Sequence, residues 1–129
     1  MMDNNQRIII QQVSLSTNNI QVELTYSGKA YQKVVLAPAS EKERLMAATK
    51  ATVEAINEII PTPIVTRVSE VQQIRFEELS EPVLVTLVGV RIKGEERLFP
   101  GTARIGNCAL NAVVRATLDA VNRPIGLFL

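Results

Sequence analysis

The residues best suited to bind a small ligand are the five from Arg104 to Cys108, which lie between a predicted strand and a predicted helix. The first turn of a helix offers free backbone N–H groups and the positive end of the helix dipole, which together favour a carboxylate or a phosphate. Gly106 would let a ligand approach the backbone, and Arg104 would add a bidentate charged contact. The candidate ligand-binding residues are therefore Arg104, Gly106, Asn107 and Cys108.

The same residues also have a purely structural interpretation. Gly106 and Asn107 suit a turn and a helix N-cap, with Arg104 solvated at the end of a strand. Cys108 at a helix start would have a stabilised thiolate, but nucleophilic catalysis usually needs a base and the chain contains no histidine. Lone cysteines in small domains mostly behave as buried hydrophobic residues. The sequence leaves both interpretations open.

Other residues give little support for catalysis. One cysteine and no histidine exclude the usual zinc ligand sets, and no Gly-rich phosphate loop is present. The paired acids Glu77-Glu78 and Glu95-Glu96 lie beside predicted turns, where a solvated charge is the default and a shared desolvated cleft is not expected. We therefore predict that the chain is not an enzyme and has no catalytic residues, no metal and no cofactor.

The elements that position the candidate turn are repeated within the chain. Residues 50–57 (KATVEAIN) align with residues 115–122 (RATLDAVN), 65 positions later, with every column identical or conservative. We interpret this as a tandem duplication. Upstream, the match continues at a spacing of 63, which pairs three apolar residues of one predicted strand with three of another: Ile20, Val22 and Leu24 with Val83, Val85 and Leu87.

Each matched segment predicts an amphipathic helix, because its apolar residues recur at 3.6-residue spacing. Ser40 followed by Glu43 has the form of a capping box, so the first helix is predicted to begin near residue 40. Pro61 is predicted to end it. Asn107 is the predicted N-cap of the second helix, and Pro124 and Gly126 are predicted to end it.

Small and amide side chains recur at the same helical positions in both halves. Asn57 and Asn122 lie near the helix ends, where asparagine commonly hydrogen-bonds free carbonyls or a neighbouring loop, so we predict a symmetric structural role for the two. Small residues such as Ala116 and Ala120 are predicted to let the helix approach its neighbours closely.

Three strand-like segments precede each helix. The turn signals Ser27-Gly28 and Lys93-Gly94 join the second and third strands of each set. Residues 1–129 are therefore predicted to form a single α+β domain, a tandem duplication of a βββα unit with halves at about 7–60 and 64–125. In this fold a mainly antiparallel sheet has two helices packed on one face. The predicted strands are 7–15, 20–26, 29–36, 64–77, 83–92 and 95–104.

The predicted strand 83–92 is apolar on both faces, which is typical of a strand that is covered on both sides. Because two helices cover only one face, we expect a second copy of the chain to cover the other, giving a homo-oligomer with a dimer favoured. A curved sheet that covers itself, with the C-terminal tail tucked into the core, is the alternative. The predicted oligomer interface consists of Leu84, Val88, Val90, Leu127, Phe128 and Leu129.

Composition narrows the functional classes. The chain has 129 residues, a net charge of +1 and a hydrophobic content of 47%. These values suit one globular domain and do not suit a general polyanion binder, which usually carries a clear basic excess. No apolar segment is long enough to span a bilayer and no leader-like segment opens the chain, so no membrane association is predicted. The single cysteine fits a reducing compartment, and we expect a cytoplasmic protein.

The second half also resembles a known family. Its hairpin turn Arg91-Ile92-Lys93-Gly94, Gly101 and the helix that closes on residues 116–123 (ATLDAVNR) are similar to the C-terminal regulatory domain of 2-isopropylmalate synthases and citramalate synthases, itself two βββα units. The resemblance implies a dimer that binds leucine or isoleucine near the strand-to-helix turns, here residues 36–41 and 103–108. In that family the domain inhibits a catalytic barrel. A chain of this size has none, so regulation would require a separate partner.

The functional hypotheses follow from these observations. The first is a non-catalytic regulatory or small-ligand-binding module that senses a small carboxylate and acts on a partner protein in trans. The alternative is a structural assembly protein that docks another chain through an apolar sheet face. An RNA-binding module or a small enzyme has less support. A strand-strand-strand-helix unit also ends the double-stranded-RNA-binding fold, but the helix starts of this chain lack the lysine-rich character which that fold requires, so no nucleic-acid partner is predicted.

Overall fold

The computed structural model describes residues 7–61 and 63–125. Within these residues, six strands and two helices follow one another in the order βββαβββα, which confirms the predicted α+β fold of two βββα units. The strands form two separate antiparallel sheets: sheet A in the order β1-β2-β3 and sheet B in the order β4-β5-β6. The elements are β1 (Ile9–Leu15), β2 (Asn19–Tyr26), β3 (Lys29–Leu36), α1 (Glu41–Ile59), β4 (Val65–Ile74), β5 (Val83–Ile92), β6 (Glu95–Arg104) and α2 (Ala109–Ile125).

The same two-residue turn closes the main hairpin of each half. Ser27 and Gly28 have φ values of 52° and 77°, and Lys93 and Gly94 have φ values of 54° and 79°. Two consecutive residues with positive φ are typical of the type I′ turn, whose twist matches that of the strands it joins. Each glycine adopts this conformation without steric cost. The predicted hairpins are confirmed.

Helix α1 begins where the capping box predicts. Ser40 is the N-cap, and its hydroxyl accepts a hydrogen bond from the backbone N–H of Glu43 at 3.2 Å and donates one to the Glu43 carboxylate at 2.9 Å. Pro61 follows the last turn, as predicted, because proline has no N–H to continue the helix. The prediction that Pro124 ends the second helix is wrong, because α2 includes Pro124 and extends to Ile125; Gly126 lies outside the described residues. Neither helix in the described part of the chain is long and apolar enough to cross a membrane.

The halves are interlocked, because each helix packs on its own sheet and also on the first strand of the other half. Helix α1 contacts β2, β3 and β4, while α2 contacts β5, β6 and β1. The two repeated asparagines form hydrogen bonds between each helix and the opposite half. The Asn57 side chain accepts from the backbone N–H of Thr66 at 2.8 Å and donates to its carbonyl at 3.0 Å. Asn122 makes the same two bonds to Ile8, both at 3.1 Å. The predicted symmetric structural role is confirmed.

Helix α2 approaches sheet B most closely at Gly101. A Cβ atom built on this glycine would overlap the backbone oxygen of Ala116 and lie 2.5 Å from the backbone nitrogen of Ala120. Only glycine therefore allows β6 and the small-residue face of α2 to pack at this separation. The prediction that Ala116 and Ala120 permit close approach is confirmed for the contact between helix and sheet.

The predicted oligomer interface lies on the wrong face of β5. Leu84, Val88 and Val90 are at most 2% exposed and belong to the core beneath the helices, so they are unavailable to a second chain. The half-buried residues of the opposite, outward face are Val83, Val85 and Leu87. Because both faces of β5 are apolar, its sequence does not show which face the helices cover. The other predicted interface residues, Leu127, Phe128 and Leu129, lie outside the described residues.

Because both faces of β5 are apolar, the sequence alignment that matched β2 to β5 at a spacing of 63 positions is also wrong. The equivalent turn glycines, Gly28 and Gly94, are 66 positions apart. Neighbouring strand residues point to opposite faces, so an error of three positions exchanges the two faces. The buried face of β2, which includes Ile20 and Leu24, therefore corresponds to the buried face of β5 and not to Val83, Val85 and Leu87.

A buried hydroxyl on β5 yields a stability prediction. Thr86 is fully buried, and its Oγ1 is the one buried side-chain nitrogen or oxygen in the described residues without a hydrogen-bond partner. Burying a hydroxyl without a partner is unfavourable, so Thr86→Val is expected to raise the free energy of unfolding by about 1 kcal/mol. Urea unfolding measures this change. Thr117→Val is the control, because the Thr117 hydroxyl donates to the Val113 carbonyl at 2.7 Å, and no gain is expected there.

Candidate ligand-binding site

The turn before α2 is exposed and holds the predicted ligand-binding residues. Arg104, Gly106, Asn107 and Cys108 are all exposed, and Gly106 has a φ of 62°. The first helical hydrogen bond runs from the N–H of Ala112 to the carbonyl of Cys108 at 3.0 Å. Cys108 is therefore at the N-cap position, and the prediction of Asn107 as N-cap is wrong by one residue. The chain uses Gly106 and Asn107 to make the turn, so the helix starts after them.

Arg104 is not directed toward the helix start. It pairs with Val83 across the β5–β6 ladder, and residues paired in this way share a sheet face, in this case the outward one. Arg115 is the guanidinium at the turn. It donates to the Arg104 carbonyl at 3.1 Å and to the Asn111 side chain at 3.0 Å. Arg115 thus holds the turn in place from within α2.

Both helix starts converge on a groove of about 210 Å³, at the point where β1 ends. Cys108 is the one predicted ligand-binding residue that lines it. Ala109 opens α2 beside Cys108, and Glu41 opens α1 on the other side. This arrangement brings residues from the first turns of both helices around one small space, and a helix first turn is where backbone N–H groups without an intrahelical partner occur. We call this space the helix-start groove; its lining residues are Val13, Ser14, Leu15, Glu41, Arg44, Leu45, Cys108, Ala109 and Leu110.

The lining of the helix-start groove combines an apolar wall with one cation and one anion. Leu45 and Leu110 are buried at its base. The Nε of Arg44 donates to the Pro38 carbonyl at 2.8 Å, which anchors the side chain and uses one of its five N–H donors. Glu41 supplies the opposite charge at the rim. The site can therefore accommodate a small molecule with an apolar body and both an acidic and a basic group.

A second groove lies at the corresponding place in the other half. It measures about 620 Å³ and is bounded by the start of α1 and the end of β4. Because β4 is the first strand of its half, as β1 is of the other, the two grooves are equivalent under the duplication. The lining of the second groove is more polar at the rim: Glu41, Lys42, Glu43, Leu45, Met46, Val71, Gln72 and Gln73.

Sequence reasoning missed Arg44 as a candidate site residue, and it included Glu41 only within the stretch 36–41 that the family resemblance implies. In the sequence they look like ordinary charges in the first turn of a capped helix. The signal that would have found them is the duplication itself, because two helices of one repeat with equivalent starts can share a site. Recognising that site also requires knowing that α2 packs on β1, which the sequence does not indicate.

Of the two neighbouring acids Glu95 and Glu96, Glu96 forms an ion pair within the sheet. Arg67 forms a bidentate ion pair with it, Nε to Oε2 at 2.6 Å and Nη2 to Oε1 at 2.7 Å. This hydrogen-bonded pairing, together with the positive charges of Arg67 and Arg91, lowers the pKa of the Glu96 carboxyl below its ordinary value. In the described residues, no group of three or more His, Cys, Asp or Glu side chains is placed to hold a metal ion.

This ion pair predicts a pH dependence. The pKa of Glu96 is lower in the folded chain than in the unfolded chain, so its contribution to stability is complete above the ordinary pKa of glutamate. The contribution is lost as the pH falls through the lower, folded-state pKa. In Arg67→Gln the Glu96 pKa is expected to rise toward its ordinary value, as measured by NMR titration of the carboxyl carbon. An unchanged pKa in this variant would contradict the assigned cause.

Comparison with known proteins adds no family to this description. No known protein family matches the chain, and no curated protein matches it.

Proposed function

We propose that this chain is a non-catalytic ligand-binding module that senses a small carboxylate and acts on a partner protein in trans. The observation that carries the proposal is the helix-start groove, in which Arg44 and two helix first turns surround a space with an apolar base. Helix first turns and arginine are the groups that proteins commonly use to bind carboxylates.

The dimensions and charges of the groove favour an amino acid with an apolar side chain. A volume of about 210 Å³ is below the range of pockets for drug-sized ligands. The carboxylate would lie at Arg44 and the helix N–H groups, the ammonium at Glu41, and the side chain against Leu45 and Leu110. The resemblance to the regulatory domains of 2-isopropylmalate and citramalate synthases independently implies leucine or isoleucine.

The absence of histidine from the sequence supports a binding role over a catalytic one, since the chain lacks the commonest general base. A cytoplasmic location is part of the proposal, and the exposed free thiol of Cys108 supports it because such thiols suit a reducing compartment.

Thermal shift with leucine, isoleucine and their 2-keto acids tests the proposal. At ten times the dissociation constant, a ligand specific for the folded state adds about 1.4 kcal/mol of stability, or roughly 4–6 °C in Tm for a chain of this length. Arg44→Gln is expected to abolish the shift, while Lys50→Gln, which changes an exposed cation elsewhere on α1, is expected to keep it. The proposal fails if none of the four compounds shifts Tm, or if the shift survives in Arg44→Gln.

A second candidate function, assembly with another chain through a sheet face, is supported by one observation. The outward face of β5 presents Val83, Val85 and Leu87, whereas the outward face of β2, the central strand of sheet A, presents Gln21, Glu23 and Thr25. A photo-crosslinking residue at position 85 is expected to capture one specific chain in cells. The same residue at position 21 is the matched control, and equal capture at both positions would contradict this candidate.

A further inference from the structure

The edges of the two sheets are not equally protected. An edge strand presents unpaired N–H and C=O groups, which proteins commonly block with bulges, prolines or covering elements. Strands β1 and β4 each contain a register irregularity. In addition, Asn57 of α1 bonds to Thr66 in β4, and Asn122 of α2 bonds to Ile8, just before β1. These features disfavour the addition of a further strand at one edge of each sheet.

The duplication supplies a direct comparison for the two remaining edges, those of β3 and β6. Aligning the turn glycines Gly28 and Gly94 places Val34 at the position of Pro100 and Leu36 at the position of Thr102. Starting from the turn, every second residue of these strands directs its N–H and C=O away from the neighbouring strand. All four of these residues lie at such outward-bonding positions.

On β6, the outward-directed N–H groups at these two positions are either absent or already hydrogen-bonded. Pro100 has no N–H to offer. The N–H of Thr102 donates to the Asp119 carboxylate at 3.0 Å, and the Arg104 carbonyl accepts from Arg115 at 3.1 Å. Side chains of α2 therefore bond the outward-directed N–H of Thr102 and the outward-directed carbonyl of Arg104 on β6.

At the same positions β3 is open. Val34 and Leu36 both carry an N–H, and no side chain in the described part of the protein caps either of them. Their side chains are 53% and 80% exposed, and Leu36 is the most exposed large hydrophobic residue within residues 7–61 and 63–125. The copy of the repeat that lacks the closing residues thus also exposes apolar side chains beside its edge.

We propose that β3 pairs in antiparallel orientation with β3 of a second copy, joining two A sheets into one six-stranded sheet. A two-fold axis at Val34 places this residue opposite its own copy and brings Leu36 of each chain beside Val34 of the other. The positive charge of Lys33 does not oppose this pairing, because Lys33 forms an ion pair with Glu58 in its own chain.

A second copy is the occupant that closes the assembly. The outer strands of the joined sheet would be the two β1 strands, each of which has a register irregularity and packs against α2 of its own chain. Because both features disfavour the addition of a further strand, we expect association to end at two chains. An eight-residue strand is about 26 Å long and buries little area, so the dimer is expected to be weak. This inference is independent of the proposed ligand-binding function.

Sedimentation velocity at protein concentrations up to about 500 µM tests the proposal, a range chosen because an interface of this size associates weakly. The wild-type chain is expected to reach twice the 14.2 kDa monomer mass. Val34→Pro, which gives β3 the residue found in β6, and Leu36→Lys are both expected to be monomeric. Leu98→Lys, on sheet B, is the matched control and is expected to remain dimeric; its side chain is 48% exposed.

Circular dichroism confirms that each variant is folded, and Leu36→Lys keeps the test valid if Val34→Pro does not fold, because Leu36 makes little contact with its own chain. The proposal is overturned by a wild-type monomer over the whole range, even if a strand from another protein binds the edge. A dimer that persists in Leu36→Lys, or that dissociates only in Leu98→Lys, also overturns it.

Discussion

Gly101→Ala is expected to cause the largest loss of stability of any single methyl addition to sheet B, about 3 kcal/mol or more. The added Cβ would overlap the backbone oxygen of Ala116 and crowd the backbone of Ala120. Neither backbone atom can move without separating α2 from β6, and such a separation would expose core residues. Denaturant unfolding monitored by circular dichroism measures the effect.

Gly89→Ala is the matched control, because this glycine lies on the neighbouring strand of the same sheet. Its added Cβ would lie 2.7 Å from a carboxylate oxygen of Glu96, which is the far end of a flexible side chain. We expect a loss of about 1 kcal/mol or less, since the side chain can rotate away. If both variants lost the same free energy of unfolding, the close packing of α2 on Gly101 would not be the cause.

Asn57→Ala and Asn122→Ala are each expected to lower the free energy of unfolding by about 2–4 kcal/mol, because each removes two bonds to the backbone of a buried residue. Thr66 is 2% exposed and Ile8 is 1% exposed, so the backbone groups that lose their partner lie in buried residues. Asn57 also accepts from the Thr66 hydroxyl at 2.9 Å, so its loss is expected to be the larger.

Asn111→Ala serves as the control for both variants. Among the described residues its side chain bonds only to Arg115, in an exposed contact on α2, and a change within about 0.5 kcal/mol is expected. Losses of this small size in Asn57→Ala and Asn122→Ala would contradict the role of the two asparagines as ties between the halves.

Much of the fold follows from local patterns in the sequence. The capping box at Ser40 and the two turns with positive φ predict the start of α1 and both hairpins, because each depends only on residues near to it in the chain. The recurrence of Asn57 at Asn122 predicts a shared structural role. The identity of the bonding partners required the structure, because they come from the other half.

Features that depend on long-range contacts were not predictable. The alternation of β5 does not indicate an inner face, since Leu84 on one side and Val85 on the other are equally apolar. The separation of the strands into two sheets has no local signal. The packing of α2 on the opposite half brings together residues more than 100 positions apart, as with Ile8 and Asn122.

The candidate site likewise combines features that local sequence patterns predict with features that depend on long-range contacts. The turn at Gly106 was found from its residue types, and Cys108 does line the helix-start groove. Arg104 is directed to the opposite face because strand parity, not proximity in sequence, determines where a strand residue points. Arg44 enters the site from a helix that is more than 60 positions away from Cys108.

The central structural claim is that neither half is complete without the other, since each helix covers a strand of the opposite copy. Residues 1–61 and 62–129 can be produced as separate chains and compared, alone and mixed, by two-dimensional NMR. Each piece alone is expected to give the narrow amide dispersion of an unfolded chain, and the mixture is expected to recover the spectrum of the intact protein. A well-dispersed, cooperatively unfolding spectrum from either piece alone would contradict the claim.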